Sequence, residues 1–407
     1  MTNIKITKGY RCRLYPNAGQ RAMLANLFGC CRYVYNWGLA RHREHYQKTG
    51  KNLNSYDLSK ELTQHKKEVD KSWLNKVLRM PLRVSLFNLD RAFKNFYEKR
   101  AGYPKFKTKN GKQSAKITRQ YFSIQDNRLS VNKMPGAIRV RWSRRWQKNA
   151  DVSSVTVSKD RAGRYFASFL VTETIAQLPP VKGKIGIDMG LSHFLTLSTG
   201  EKVENPKFFV SAERRYRRAC KNLSRKQKGS KNRAKARLKL SRIASRISDS
   251  RQDFCHKLSS RLIRENQAIG VEDLSIQNMM KNRRLSKAIG DASWGMFLRL
   301  ISYKAAWYGK DVVTLDTFFA SSKTCSICGH KREKLPLYIR KWTCSKCQTL
   351  HDRDVNAAIN IQKYTVGETE MLYNWSCSDQ FTNACGVPVS PHLLRQRTMK
   401  QELSLQR

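Results

Sequence analysis

Two Cys-x2-Cys pairs, Cys325 with Cys328 and Cys344 with Cys347, stand fifteen residues apart, and no other feature limits the fold so tightly. Two thiolate pairs on separate turns close a tetrahedral Zn²⁺ site with no open position. The expected ion therefore folds its local hairpin and does not catalyse. Gly329 permits a tight turn after the first pair, and Tyr338 to Thr343 reads as a strand returning to the second. His330 and His351 stand close enough in sequence to replace a ligand, but four cysteines suffice. The chain has 11 cysteines, an odd number, which favours metal binding in a reducing compartment over a disulfide framework. Cys12, Cys30, Cys31, Cys220, Cys255, Cys377 and Cys385 lack such spacing and read as packing residues.

Five residues after the second pair comes Asp352-Arg353-Asp354-Val355-Asn356-Ala357-Ala358, whose acid opens a helix. Gly186-Ile187-Asp188 and Gly270-Val271-Glu272-Asp273 each place a carboxylate directly after a short apolar run that reads as a buried strand. Taken singly, each acid has an ordinary reading: Asp188 as a turn residue, Asp354 as a helix N-cap. Asp352 competes with Asp354, and Asp273 with Glu272. As a set they carry more. Three carboxylates gathered in a core repel one another, and divalent cations are the usual compensation. Oxygen ligands with water and phosphate suit Mg²⁺ or Mn²⁺ better than zinc. Two such ions about 4 Å apart serve phosphodiester hydrolysis, one side activating water and the other stabilising the leaving oxygen.

Lys and Arg total 80 against 30 Asp and Glu, a net charge of +50 over 407 residues. Self-repulsion of that size calls for a polyanion, so nucleic acid is the expected partner. No apolar run is long enough to span a bilayer and no signal peptide opens the chain, so a cytoplasmic protein without a membrane partner is expected.

Residues 4–15 alternate apolar and basic, with Arg11 and Arg13 on the cationic face, and Pro16-Asn17 ends the strand. Helical patterns follow at 18–46, 55–67 and 72–100, with Pro81 tolerable as a break or a first-turn residue. Short strands then succeed one another from 106 to 174, including a hairpin around Asp126-Asn127, and suggest a small barrel to which the first strand returns. After Pro179-Pro180, residues 184–188, 194–198 and 202–203 read as strands opening a ribonuclease-H-like sheet. Residues 211–250 hold fifteen Lys or Arg and two acids, a helical hairpin turning near Gly229 and suited to phosphate contact. A helix over 252–267, a strand over 269–274, a loop over 286–291, a helix over 293–309 and a strand over 312–315 complete a βαβ pattern. Periodicity is lost after Tyr364.

These motifs resemble the TnpB family, accessory proteins of bacterial insertion sequences related to type V CRISPR effectors. The resemblance runs from Tyr10-Arg11-Cys12-Arg13-Leu14-Tyr15-Pro16 and Phe28-Gly29-Cys30-Cys31-Arg32-Tyr33 through Leu89-Asp90-Arg91-Ala92-Phe93 to Gly186-Ile187-Asp188, Val271-Glu272-Asp273-Leu274, the cysteine pairs and Arg353-Asp354-Val355-Asn356-Ala357-Ala358. It implies a multidomain α+β chain. A wedge-like β-barrel would comprise 1–16 and 101–180, with a helical recognition insertion at 17–100. A RuvC-like nuclease domain would comprise 181–320 and 348–364, with its basic arm at 211–268, a zinc ribbon at 321–347 and a weakly ordered tail at 365–407. Asp188, Glu272 and Asp354 would hold two Mg²⁺ or Mn²⁺ ions, and Cys325, Cys328, Cys344 and Cys347 one Zn²⁺. A guide RNA from the element's end would direct cleavage of double-stranded DNA beside a short adjacent motif. Candidate nucleic-acid contacts are Arg11, Arg13, Lys76, Arg79, Arg83, Arg214, Arg218, Arg225, Arg233 and Arg237.

Two rival readings follow from the same residues. An RNA-guided repressor that binds without cutting would normally lose one of the acids, and all three are present. A transposase joining strands itself would need a His-hydrophobic-His motif, and His42-Arg43-Glu44-His45 is the nearest pairing. A separately encoded transposase would leave this chain an accessory role.

Overall fold

The computed structural model describes residues 3–316 and 319–376. The chain divides into two compact units, one of residues 3–175 with 219–245, the other of 176–218 with the chain from 246 onward.

In the first unit, β1 (Asn3–Tyr15) buries Tyr10, Cys12 and Leu14 on the face its alternation assigns. α1 (Ala18–Thr49) starts at a reciprocal cap, Asn17 Oδ1 accepting from Gln20 N at 2.9 Å and Gln20 Oε1 from Asn17 N at 3.0 Å, and stops at left-handed Gly50. α2 (Ser55–His65) and α3 (Arg79–Tyr97) pack on it. The single helix expected over 72–100 is two pieces, a 3-10 turn at Val69–Lys76 and then α3. Pro81 falls in the first turn of α3, where its missing N–H has no helical partner to lose.

Six further strands complete a seven-stranded sheet: β2 (Gln113–Thr118), β3 (Phe122–Gln125), β4 (Arg128–Val131), β5 (Ile138–Arg141), β6 (Asp151–Lys159) and β7 (Tyr165–Ala176). Their order is β2-β6-β7-β1-β5-β4-β3, so β1 does return to the middle. The two edge strands, β2 and β3, are joined by only Arg119–Tyr121. Opposite edges linked by so short a turn require the sheet to curl almost shut. Asp126 and Asn127 both take positive φ in the β3–β4 hairpin, as a two-residue turn of matching twist demands.

β8 (Lys184–Asp188), β9 (His193–Leu197) and β10 (Lys202–Glu204) of the second unit precede α4 (Phe208–Ser224) and α5 (Lys231–Glu265), of which residues 219–224 and 231–245 belong to the first unit. The helix expected over 252–267 is the end of α5, which runs unbroken for 35 residues. Then come β11 (Ala268–Glu272), α6 (Ile276–Met279), α7 (Ser286–Ala292), α8 (Trp294–Tyr308), β12 (Asp311–Leu315), β13 (Lys341–Thr343), β14 (Leu350–Asp352) and α9 (Arg353–Ser376). The five-stranded sheet has the order β10-β9-β8-β11-β12, with β8, β11 and β12 parallel.

Where a loop was expected at 286–291 there is the short helix α7, anchored by buried Ile289 and Ala292. Its buried Asp291 accepts from Phe209 N and Val210 N at the start of α4 and pairs with Arg251 at 2.6 Å. Seven residues are too few for periodicity to declare a helix. α9 likewise continues past Tyr364, with Thr365 fully buried. The tail expected over 365–407 is therefore helical as far as Ser376, and its remainder lies outside the described residues. Among the described residues, no helix is long and apolar enough to cross a membrane.

Candidate metal centre

β8 and β11 lie side by side with Gly186 opposite Gly270 and Ile187 opposite Val271. In each strand the acid comes two residues after the glycine, so Asp188 and Glu272 project from the same face as the glycines. That face is covered by α9. A Cβ at Gly186 would overlap the carbonyl oxygen of Ala358 and the backbone N of Gln362, and one at Gly270 would overlap Thr365 Oγ1. Glycine at both positions admits the helix backbone onto the sheet, and Ala357 and Ala358, both buried, keep the approach close. α9 begins at Arg353, so Asp354 stands in its first turn.

The electrostatics bind the three acids into one centre. Burial first, then the charges of Glu272 and Asp354, together push the Asp188 carboxyl up to about 8 against the opposing pull of Arg353 and Arg340. This is the repulsion that divalent cations relieve, and an all-carboxylate donor set suits Mg²⁺ or Mn²⁺. Glu272 Oε1 accepts from Ser321 Oγ at 2.6 Å, and Asp354 Oδ1 lies 3.3 Å from Arg340 Nη1.

Asp352 has other work. Asp352 Oδ1 accepts from the N–H groups of Asp354 and Val355 at 3.1 Å, capping α9, while Oδ2 pairs with Lys202 Nζ at 2.6 Å. Burial raises the Asp352 carboxyl, but Lys202 and the cap hydrogen bonds outweigh it and hold the group below the usual range. Asp273 is exposed, beyond the end of β11.

The four cysteines form the second site. Their donor atoms all lie within 4.8 Å of one another. Cys325 Sγ to Cys347 Sγ and Cys328 Sγ to Cys344 Sγ are each 3.6 Å, close to the ~3.8 Å separation implied by tetrahedral zinc with Zn–S bonds of about 2.3 Å. Each pair rides on a turn. Gly329 N donates to Cys325 O at 3.0 Å and Gln348 N to Cys344 O at 3.0 Å, with left-handed Gly329 and Gln348 closing the turns. The hydroxyl and N–H of Thr349 bring the Cys347 thiol down to about 6, the thiolate form that zinc takes. His330 is bonded to Ser345 Oγ at 3.1 Å, and His351 Nε2 lies 3.0 Å from Cys325 Sγ, so His351 faces a ligand sulfur and completes no ligand set. The strand expected over 338–343 is confined to β13, paired with β14.

A family model described as "Probable transposase" (OrfB_IS605) matches residues 168–283, a Cas12f1-like TNB domain model matches 294–361, and a helix-turn-helix model of the OrfB_IS605 group matches 1–51. In the structure, that last span is one strand and one long helix. A Streptomyces pristinaespiralis protein named "Putative RNA-guided DNA endonuclease" is 43% identical over 358 residues, 88% of this chain and 89% of that protein. The chain belongs to the TnpB family. Escherichia coli K12 InsQ, which carries the same description, is 29% identical over 374 residues, 88% of this chain and 92% of InsQ. A solved Cas12f1–sgRNA–target DNA complex shares the fold, with a TM-score of 0.53 at 14% identity, covering 88% of this chain and 99% of that protein.

The candidate nucleic-acid residues of this TnpB-family chain fall into three groups. Arg214, Arg218 and Arg225 are exposed along the α4 side of the basic hairpin. Arg233 is turned inward, donating to the carbonyls of Leu223 and Lys226 at 2.9 and 2.7 Å, and Arg237 donates to Asn110 Oδ1 at 3.0 Å. Lys76 and Arg79 are exposed and Arg83 lies over the Phe87 ring. Arg11 sits 3.8 Å above the Phe166 ring, and Arg13 lies directly opposite Arg141 across the sheet.

Arg141 leads to residues that sequence reasoning missed. Arg139 is opposite both Tyr15 and Arg128. Arg139 and Arg141 line a cleft of ≈ 770 Å³ with Tyr15, Trp142, Arg144 and Arg145. Like charges directly opposite one another in a sheet destabilise it, and none of Arg128, Arg139 and Arg141 has a carboxylate partner among the described residues. The alternation of arginines at 139 and 141 was visible in sequence; their cross-strand partners were not.

Proposed function

We propose that the chain is an RNA-guided DNA endonuclease of a transposable element, cutting target DNA by metal-dependent phosphodiester hydrolysis beside a short adjacent motif. The observation that carries this reading is the register of β8 and β11, which sets Asp188 beside Glu272 beneath the start of the helix that bears Asp354. The names of the relatives point the same way.

In this reading Asp188, Glu272 and Asp354 hold two Mg²⁺ or Mn²⁺ ions, whose charge favours attack of water on the phosphodiester and departure of the 3′ oxygen. The exposed guanidinium of Arg340, now resting on Asp354, is placed to take a phosphate oxygen when the backbone enters. Cys325, Cys328, Cys344 and Cys347 hold one structural zinc. The strand order of the five-stranded sheet supports a RuvC-like, ribonuclease-H-type nuclease domain over 181–320 and 348–364, around a zinc ribbon at 321–347. The curled sheet of 1–16 and 101–180 serves as the wedge, and the helices of 17–100 as the recognition insertion. The unpaired arginines of β4 and β5 and the basic hairpin bind the phosphates of guide RNA and DNA.

The test is to purify the chain with RNA transcribed from its own locus, sequence the bound RNA, and challenge the complex with a plasmid library randomised beside a guide-matched target. A defined RNA and depletion of one adjacent motif are expected with Mg²⁺. Target binding with no cutting would leave an RNA-guided repressor instead.

A further inference from the structure

Ser321 lies four residues before the first of the four cysteines, in a segment that the sequence marks only as the start of the ribbon. It is 7% exposed. Its hydroxyl donates to Glu272 Oε1 at 2.6 Å, the length of a charge-assisted O–H···O⁻ bond. Its carbonyl is held in turn by α9, accepting from Asn360 Nδ2 at 2.8 Å and from Asn356 Nδ2 at 3.5 Å.

The same two amides grip the next stretch of the loop. Asn356 Nδ2 and Asn360 Nδ2 donate to Thr324 O at 2.8 and 2.6 Å, Asn356 Oδ1 accepts from Ser326 N at 2.9 Å, and Lys363 Nζ donates to Ser326 O. Asn356, Asn360 and Lys363 fall at i, i+4 and i+7, one polar stripe of α9. The neighbouring stripe, Ala358, Ile361, Gln362 and Thr365, lies against the two strand glycines. Asn356 is 1% exposed and Asn360 6%. Buried amides satisfied by a single loop fix the register of that loop, because any slip would leave several polar groups unpaired at once.

We infer that residues Ser321–Ser326 act as a strut between the zinc knuckle and the acid cluster, with Ser321 a positioning residue that aims the Glu272 carboxylate. This rests on the endonuclease reading for its purpose and deepens it. An ionised carboxylate offers about four acceptor directions. Fixing one of them on a hydroxyl anchored to α9, the helix that also carries Asp354, sets the remaining directions toward the cation position. Outer-shell partners of this kind act on metal affinity before they act on the fold.

The experiment uses the full-length protein with its co-purified RNA and compares wild type, Ser321→Ala and Ser321→Thr, with Asp188→Ala subtracted as the background for Mn²⁺ held by RNA. Mn²⁺ binding is read by electron paramagnetic resonance, zinc content by atomic emission, and cleavage as a function of Mn²⁺ concentration. Ser321→Ala is expected to need roughly 10- to 100-fold more Mn²⁺ for half-saturation, with zinc content unchanged, and Ser321→Thr is expected to restore the wild-type value. Mn²⁺ binding by Ser321→Ala equal to wild type overturns the inference. So does a loss of zinc that Ser321→Thr leaves uncorrected, because the serine then serves only to fold the loop. A wild type that binds Mn²⁺ at the acids but cuts no guide-matched DNA ends the endonuclease reading, and the Mn²⁺ comparison still decides Ser321.

Discussion

Gly186 and Gly270 are partners across adjacent parallel strands, and α9 lies directly over both. The two glycines set the depth at which Asp354 meets Asp188 and Glu272. Gly186→Ala places its methyl against helix backbone, at Ala358 O and Gln362 N, whereas Gly270→Ala first meets the side-chain oxygen of Thr365. Backbone cannot swing aside as a rotamer can. Gly186→Ala is therefore expected to destabilise by about 3 kcal/mol or more, and Gly270→Ala by less. Thermal unfolding of the two variants checks the ranking.

Replacing Asp188, Glu272 or Asp354 singly with Ala removes a donor from the acid cluster and lowers mutual repulsion among the other two. Cleavage is expected to fall at least ~1,000-fold, a barrier increase of roughly 4 kcal/mol, while affinity for guide RNA and target stays within about threefold of wild type. Asp352→Ala instead removes the cap of α9 and the Lys202 pair. Its cost is expected in stability, about 1 kcal/mol, with cleavage reduced less than by Asp354→Ala. Side-by-side rates and melting curves separate the two acids.

Asp188 also makes stability depend on pH in the direction opposite to an ordinary salt-bridged carboxylate. Its folded pKa is raised to about 8 from an ordinary value of 3.8, so between these values the folded state keeps a proton that the unfolded state has released. Without divalent cations, stability attributable to this group falls as pH rises through that window, by up to roughly 1.4 kcal/mol per pH unit. His42 and His351, both lowered by burial, work the other way. The measurement is accordingly the difference between wild type and Asp188→Asn. The stability of Asp188→Asn relative to metal-free wild type should grow from pH 5 to pH 8, and Mg²⁺ should reduce that gap.

Zinc removal should unfold the ribbon locally. Trp342 is buried with Leu335, Cys325 and Cys344 in a core of its own. Chelation, or Cys344→Ser, is expected to shift Trp342 fluorescence to longer wavelength, and Trp342→Phe should abolish that change. The signal of the separate hydrophobic core around Leu24, Leu86 and Phe169 should persist.

Features whose chemistry is local were legible in the sequence. The cysteine spacing announced two turns, the alternation of residues 4–15 announced β1, and the short apolar runs before Asp188 and Glu272 placed those two carboxylates at strand ends. What the sequence left open depended on distant partners. Asp352 and Asp354 both sit at a helix start, and only the N–H groups of Asp354 and Val355 and the ammonium of Lys202 identify Asp352 as the cap. Ser321 and Arg340 carry no signal of their own, because each meets its acid across a long stretch of chain. Arg233 read like its neighbours in a basic run, yet it is spent on the carbonyls of Leu223, in the last turn of α4, and of Lys226 just beyond it.

The most direct measurement is cleavage of a guide-matched plasmid by the RNA-bound protein over a Mg²⁺ titration, with wild type and Asp188→Ala run together. The account predicts linear product from wild type only, dependent on both guide and Mg²⁺, with equal target binding by the two proteins. Equal cutting by Asp188→Ala, or binding without cutting by both, would contradict it.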